Sequence, residues 1–192
     1  MRWTDVVTEP ARRTLAAWRD AIRDAAAPAV LDDIVARSGR RTPGDAPVVV
    51  LATGALRTAW DHVAASSLER GGLLVGEPLL HGAGDTEPAA VYVRAAVPGL
   101  DDDATGYSLR LGAGVWDAAR AALAPGEVVV GWFHSHPDLG AFFSGTDRRT
   151  QAGFFPHPFS VGWVIDPVRR EQAWFAGPRS IGIPVGEVAT VG

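Results

Sequence analysis

Between residues 130 and 147 the chain reads Val130-Gly-Trp-Phe-His134-Ser-His136-Pro-Asp-Leu-Gly-Ala-Phe-Phe-Ser144-Gly-Thr-Asp147. Two imidazoles stand two residues apart at the end of an apolar run that predicts a strand over Val128 to Phe133. Side chains of a strand alternate between faces. Carried on to His136, the strand would put Val130, Trp132, His134 and His136 on one face, with both imidazoles free to converge on one ion. Pro137 has no amide proton to give a ladder and ends the strand. Ser135 points the other way, so no serine–histidine–aspartate relay is expected. Ser144 and Asp147 carry a structural signal of their own, a capping pair for a helix predicted over Gly145 to Gly153. Capping does not exclude chemistry, because a carboxylate in the first helical turn has a fixed backbone. His134, His136 and Asp147 then supply two nitrogens and one oxygen. Three protein ligands with one open position is the coordination of a catalytic zinc, whereas structural zinc takes four.

These residues need a scaffold, and the flanking sequence predicts one. Strands are expected at Val48 to Leu51, Leu73 to Val75, Ala90 to Ala96, Val128 to Phe133, Ser160 to Ile165, Gln172 to Ala176 and Ile181 to Val185. Helices are expected from Thr53, as cap, to about Leu68 and from Val115 to Leu123, with Gly71-Gly72 closing the first. Interleaved strands and helices argue an α/β sandwich. Residues 1–45 read as a helical hairpin and linker: Ala11, Leu15, Trp18, Ile22 and Ala25 recur at helical spacing, and Val30, Leu31, Ile34 and Val35 form a second stripe ending at Gly39. Residues 46–192 are expected to form the catalytic domain. Pro98 to Tyr107, with three consecutive acids, reads as a loop.

Composition narrows the chemistry. The chain has 192 residues, 47% hydrophobic and 21% charged, which is globular and excludes coiled-coil, collagen-like and disordered classes. There is no cysteine, so disulfides, thiolate zinc sites, iron–sulfur clusters and thiol nucleophiles are excluded. Net charge is −4 with scattered arginine pairs, so no basic stripe for nucleic acid is present. No apolar run is long enough to span a bilayer, and the N-terminus lacks the apolar region of a secretory signal; a cytoplasmic protein is expected. All 18 basic residues are Arg. Usage in a GC-rich genome accounts for this, and a surface without lysine would also escape modification on lysine.

The pattern His-Ser-His-Pro, with seven residues from His136 to Ser144 and two more to Asp147, resembles the signature of the JAMM (MPN+) metalloprotease family. Thr150-Gln151 and Val164-Ile165-Asp166-Pro167-Val168-Arg169 look like the matching stretches of its proteasome-lid deubiquitinase and signalosome deneddylase members. The likeness runs over roughly Ala46 to Gly177. It implies a cytidine-deaminase-like α/β sandwich around a curved mixed sheet, one zinc ion (Zn2+) per chain on His134, His136 and Asp147, and an upstream Glu as base with Ser144 assisting. It implies a bacterial peptidase or isopeptidase acting after the Gly-Gly tail of a ubiquitin-like protein, in deconjugation or precursor processing, in the company of an activating or conjugating enzyme. A non-catalytic scaffold of the same fold and a zinc hydrolase of small amides are the competing readings.

Glu69, Glu77, Glu87 and Glu127 are the candidate bases, and spacing alone does not choose among them. Glu69 falls at the end of a predicted helix, where a carboxylate faces the negative end of the macrodipole. Such a locally poor choice is expected at functional sites. Its setting, Glu69-Arg-Gly-Gly-Leu-Leu-Val-Gly76, also resembles the family's Glu before a glycine-containing strand, so Glu69 is the expected base. Trp132, Phe142 and Phe143 are candidate substrate-groove residues, with core packing as the alternative. His62, His81 and His157 are expected on the surface or in loops.

Overall fold

The computed structural model describes residues 12–22, 28–42, 44–99 and 112–192, with the backbone of 104–105 and 108–109. Most of the acidic loop expected between Pro98 and Tyr107 lies outside them, as do Ala11 and Ala25 of the first predicted helix.

A mixed sheet of nine strands forms the centre. In chain order its strands are β1 (Arg13–Thr14), β2 (Val48–Ala52), β3 (Gly71–Leu80), β4 (Ala90–Pro98), β7 (Val128–Ser135), β8 (Val161–Asp166), β9 (Glu171–Ala176), β10 (Ile181–Ile183) and β11 (Val188–Val191). A small pair, β5 (Ala104–Thr105) and β6 (Ser108–Leu109), stands apart. The spatial order is β10-β9-β8-β7-β3-β4-β2-β11, and β1 pairs with β3 off this path. Pairing between β3 and β7 runs from Gly71–His134 to Gly76–Val128. Beyond it, β1 takes the same edge of β3, with Arg13 and Thr14 opposite Leu79 and Leu80.

The helices are α1 (Leu15–Ile22), α2 (Pro28–Ser38), α3 (Thr53–Ala64), α4 (Ala113–Ala122) and α5 (Gly145–Phe154). On one face Ala55, Ala59 and Val63 of α3 pack against Val49, Leu51, Leu74, Val91 and Val130. On the other, Leu15, Trp18, Leu31 and Ile34 of α1 and α2 cover Val48, Val50, Leu79 and Ala90. The rest of that face carries Val115, Trp116 and Ala119 of α4 over Leu73, Val75, Trp132 and Val164. Each buried aliphatic or aromatic side chain contributes about 1.5–3 kcal/mol, so three apolar clusters on the two faces hold the sheet without disulfides.

Several expectations are corrected. Residues 13–14, expected inside a helix, pair with β3 instead. Ala52, not Thr53, is the cap of α3 and makes no side-chain cap; Thr53, already helical, donates to the Val191 carbonyl of β11 at 3.3 Å. Gly71 and Gly72 open β3 rather than closing a helix. A side chain at Gly72 would strike the Val97 carbonyl at 2.1 Å, so strand contact there demands glycine. The final strand β11, beside β2, was not expected from the sequence.

Candidate metal centre

β7 lies between β3 and β8, with His134 opposite Gly71 on one side and Val164 on the other. The expected alternation is broken once. Pairing with β3 slips between Leu74 and Val75, leaving Val130 as an extra residue of β7. This bulge turns Val130 toward the α3 face, while Val129 and Trp132 face α4. Trp132 and His134 therefore share a face without Val130. The strand assignment stops at Ser135, yet the His136 amide still donates to the Ile165 carbonyl at 3.0 Å. That bond keeps the second imidazole in phase with the first.

The two imidazoles meet at Nε2, 3.2 Å apart, and both residues are buried. Asp147 stands beside them, with Oδ1 3.3 Å from His134 Nε2 and Oδ2 3.6 Å from His136 Nε2. One donor atom from each of the three lies within 4.8 Å of the others. The His134 ring lies flat on Trp132, with centroids 4.4 Å apart and planes at 5°.

Asp147 is held by its helix. Ser144 caps α5: its hydroxyl accepts from the Asp147 amide at 3.2 Å, and its own amide donates to Asp147 Oδ2 at 2.6 Å. The capping box and the carboxylate's placement beside the histidines are thus one arrangement. The Ser144 hydroxyl hydrogen is not consumed by the cap.

Charge in the pocket is set by burial and neighbours. Burial works to raise the Asp147 carboxyl, but the hydrogen bond and charge of His134 and two bonds from Ser144 outweigh it and hold the group ionised, far below the usual carboxylate range. His136 is shifted down, first by burial and then by the charge of His134, against the pull of Asp147. A neutral imidazole keeps the lone pair that a metal needs. Two imidazole nitrogens and an ionised carboxylate facing one point suit zinc.

Glu69 is not at a helix end. α3 stops at Ala64, and a turn in which Ser66 Oγ accepts from the Leu68 amide leads the chain away. Ser135 then takes hold of the next residue: its amide donates to the Arg70 carbonyl at 2.7 Å and its hydroxyl accepts from the Arg70 amide at 3.0 Å. This brings Glu69 Oε1 to 3.9 Å from His136 Nε2. Burial pushes the Glu69 carboxyl up, opposed by His134 and reinforced by Asp147. The other candidate bases are engaged elsewhere. Glu77 pairs with Arg13 at 2.9 Å, Glu127 accepts from Arg94 at 2.7 Å, and Glu87 accepts from the Gly44 amide at 3.0 Å.

Of the three expected groove aromatics, Trp132 and Phe143 are buried beneath the imidazoles, at 3% and 5% exposure. Phe142, at 48%, presents surface, and its ring lies 5.0 Å from that of His136. His81 is exposed, His157 stacks on Phe159, and the His62 ring on α3 lies nearly perpendicular to that of Phe133, with centroids 6.2 Å apart.

Sequence reasoning gave Asp166 no role in the site. This fully buried carboxylate accepts from the amides of Asp138, Gly140, Val168 and Arg169 at 2.7–3.1 Å. It ties the loop after His136 to the turn between β8 and β9. The signal was a lone acid ending an apolar strand before Pro167. Burial works against its charge, but these four amides prevail and lower its pKa. Its stabilising effect is therefore full above the ordinary carboxyl value and fades as pH falls through the lowered one. Asp166→Asn turns an amide group toward at least one of these donors, and should cost about 2–3 kcal/mol at neutral pH. Urea unfolding measures this, and the gap from the parent should narrow in acid.

Three comparisons bear on this site. The family model described as prokaryotic homologs of the JAB domain matches residues 53–176. The NAD(+) hydrolase TcpA of Theionarchaea archaeon (strain DG-70-1) is 33% identical over 121 residues, covering 62% of this chain and 33% of that protein. The 26S proteasome regulatory subunit rpn11 of Schizosaccharomyces pombe is 46% identical over 44 residues, covering 22% of this chain and 14% of that protein. The chain thus spans a third or less of the length of these relatives. In fold, it is similar to the solution structure of protein DSY2949 from Desulfitobacterium hafniense, at TM-score 0.52 and 19% identity over 74% of this chain and 92% of that one. Among the described residues no helix is long and apolar enough to cross a membrane.

Proposed function

The chain belongs to the prokaryotic homologs of the JAB domain, and from this we propose that it is a zinc-dependent peptidase or isopeptidase acting on a ubiquitin-like protein. The observation that carries the reading is the convergence of His134, His136 and Asp147 within 4.8 Å, with the Glu69 carboxylate at its rim. These three residues would hold the ion. Bound there, zinc supplies Lewis-acid polarisation of a carbonyl and a lowered pKa for water.

The chain's own groups do the rest. Glu69, raised by burial, accepts a proton from the attacking water and returns it to the leaving amine. Ser144, its oxygen already accepting within the cap, donates its hydroxyl hydrogen to the oxyanion. The His134 ring is held by the Trp132 stack, and the His136 backbone by its bond to the Ile165 carbonyl. Phe142 offers an apolar wall beside His136, suited to a narrow extended segment such as a glycine tail.

The test compares a ubiquitin-like modifier fused through Gly-Gly to an amine with its isolated six-residue tail. Contacts with the globular body should lend binding energy to the bond being broken, so the tail alone should be cut far more slowly. Equal specific activity on both rejects the protein substrate. The same preparation offered NAD(+) examines whether the activity named for the archaeal relative extends to this chain; turnover there, with none on the fusion, replaces the reading with small-molecule hydrolysis.

A further inference from the structure

Gln151 is fully buried and lies one turn after Asp147 on the same side of α5. Its Oε1 accepts from the Trp132 indole at 2.7 Å, and its Nε2 donates to the Ser160 carbonyl at 3.2 Å. The indole nitrogen only donates and the carbonyl only accepts, so the carboxamide has one orientation here. Gly162 on β8 leaves the space: a Cβ there would lie 3.1 Å from Gln151 Oε1 and 2.3 Å from the Phe143 ring. One end of the carboxamide thus grips the aromatic plane on which His134 rests, and the other grips the chain entering β8.

We propose that Gln151 is a positioning residue for the metal centre, setting the depth of α5 against β7 and hence the distance between the Asp147 carboxylate and the His134 imidazole. The inference rests on the reading that these residues hold zinc. His134 and Asp147 sit on different elements, and beside their own contact at 3.3 Å the Gln151–Trp132 bond is a buried polar link between those elements. Apolar packing alone sets a helix's distance from a sheet but constrains sliding along it poorly; a directional bond at 2.7 Å fixes both. Metal ligands tolerate little displacement, and removal of supporting partners typically costs 10–100-fold in affinity.

The experiment is zinc affinity by chelator competition on the full chain, with the metal alone as ligand. Gln151→Met keeps length and apolar volume but deletes the carboxamide, and should weaken zinc binding about 10- to 100-fold. Trp132→Phe keeps a ring under His134 but removes the indole donor together with part of the stacking surface; it should weaken binding in the same direction. The double variant should lose less than the two single losses combined, because both remove the Gln151–Trp132 bond. Ala152→Gly, at an exposed position of the same helix, loosens α5 without touching the carboxamide and should leave zinc affinity unchanged. Parent-like affinity in folded Gln151→Met or in Trp132→Phe overturns the proposal. So does an equal loss in Ala152→Gly, which would make the effect one of general helix stability. Should Gln151→Met not fold, Trp132→Phe carries the test. A parent chain that takes up no zinc overturns the proposed function and this inference together, whereas a zinc-binding parent with unmoved variants overturns this inference alone.

Discussion

Replacing any one of His134, His136 or Asp147 by alanine should empty the chain of zinc. The purified parent is expected to hold about one ion, and each variant should bind more than about 100-fold more weakly, beyond the loss usual for supporting residues. The reason is geometric. The three donors come from a strand, the residue just past it and a helix, so two survivors cannot close around the ion. The fold should persist in the variants, because three apolar clusters hold the sheet. Asp147→Ala will also fray α5, since it removes half of a capping box worth about 1 kcal/mol. Asp147→Asn separates the two effects: the amide oxygen still accepts from Ser144, but the charge facing the imidazoles is gone. Metal analysis beside a thermal melt measures both. Stoichiometric zinc in all three alanine variants would sink the assignment.

Glu69→Gln should keep zinc and the fold and lose at least about 100-fold in turnover of the modifier–amine fusion. The glutamine fills the same space 3.9 Å from His136 but has no basic oxygen for a proton. Burial already moves the native carboxyl toward the pH at which it works, and the amide has no such property. Glu77→Gln is the internal comparison. It breaks the ion pair with Arg13, so it should lower stability and leave turnover near the parent's. An active Glu69→Gln beside a dead Glu77→Gln would move the base from Glu69 to Glu77.

The family and its α/β sandwich were legible in the sequence because the marks of both are local. Strand, proline, loop and cap follow one another within a few residues, and each has its own chemistry. The capping box at Ser144 was readable for the same reason, and the structure forms it as expected. What escaped depends on which distant segments meet. The phase of β7 was misread at Val130 because the bulge arises from its register against β3, which no local pattern encodes. Glu69 was chosen partly for a helix end that does not exist; what brings it to His136 is the grip of Ser135 on Arg70. Trp132 and Phe143 looked like groove residues because aromatic side chains serve core and surface alike. Burial by α5 and β8 separates them from Phe142. Arg13 and Thr14 read as helix because two residues are too few to show a strand's period.

The capping box also bears on how such a chain would drift if its chemistry ceased to matter. Ser144 and Asp147 satisfy each other's backbone amides at the start of α5. Selection for a folded helix alone is enough to retain both. No such second duty protects the imidazoles. His134 and His136 bury polar nitrogens against one another, at a cost that apolar side chains of similar size would avoid. An abandoned copy of this domain should therefore lose its histidines first and keep its Ser-x-x-Asp. In that event the paired histidines, and not the serine and aspartate, would tell a working site from a relic.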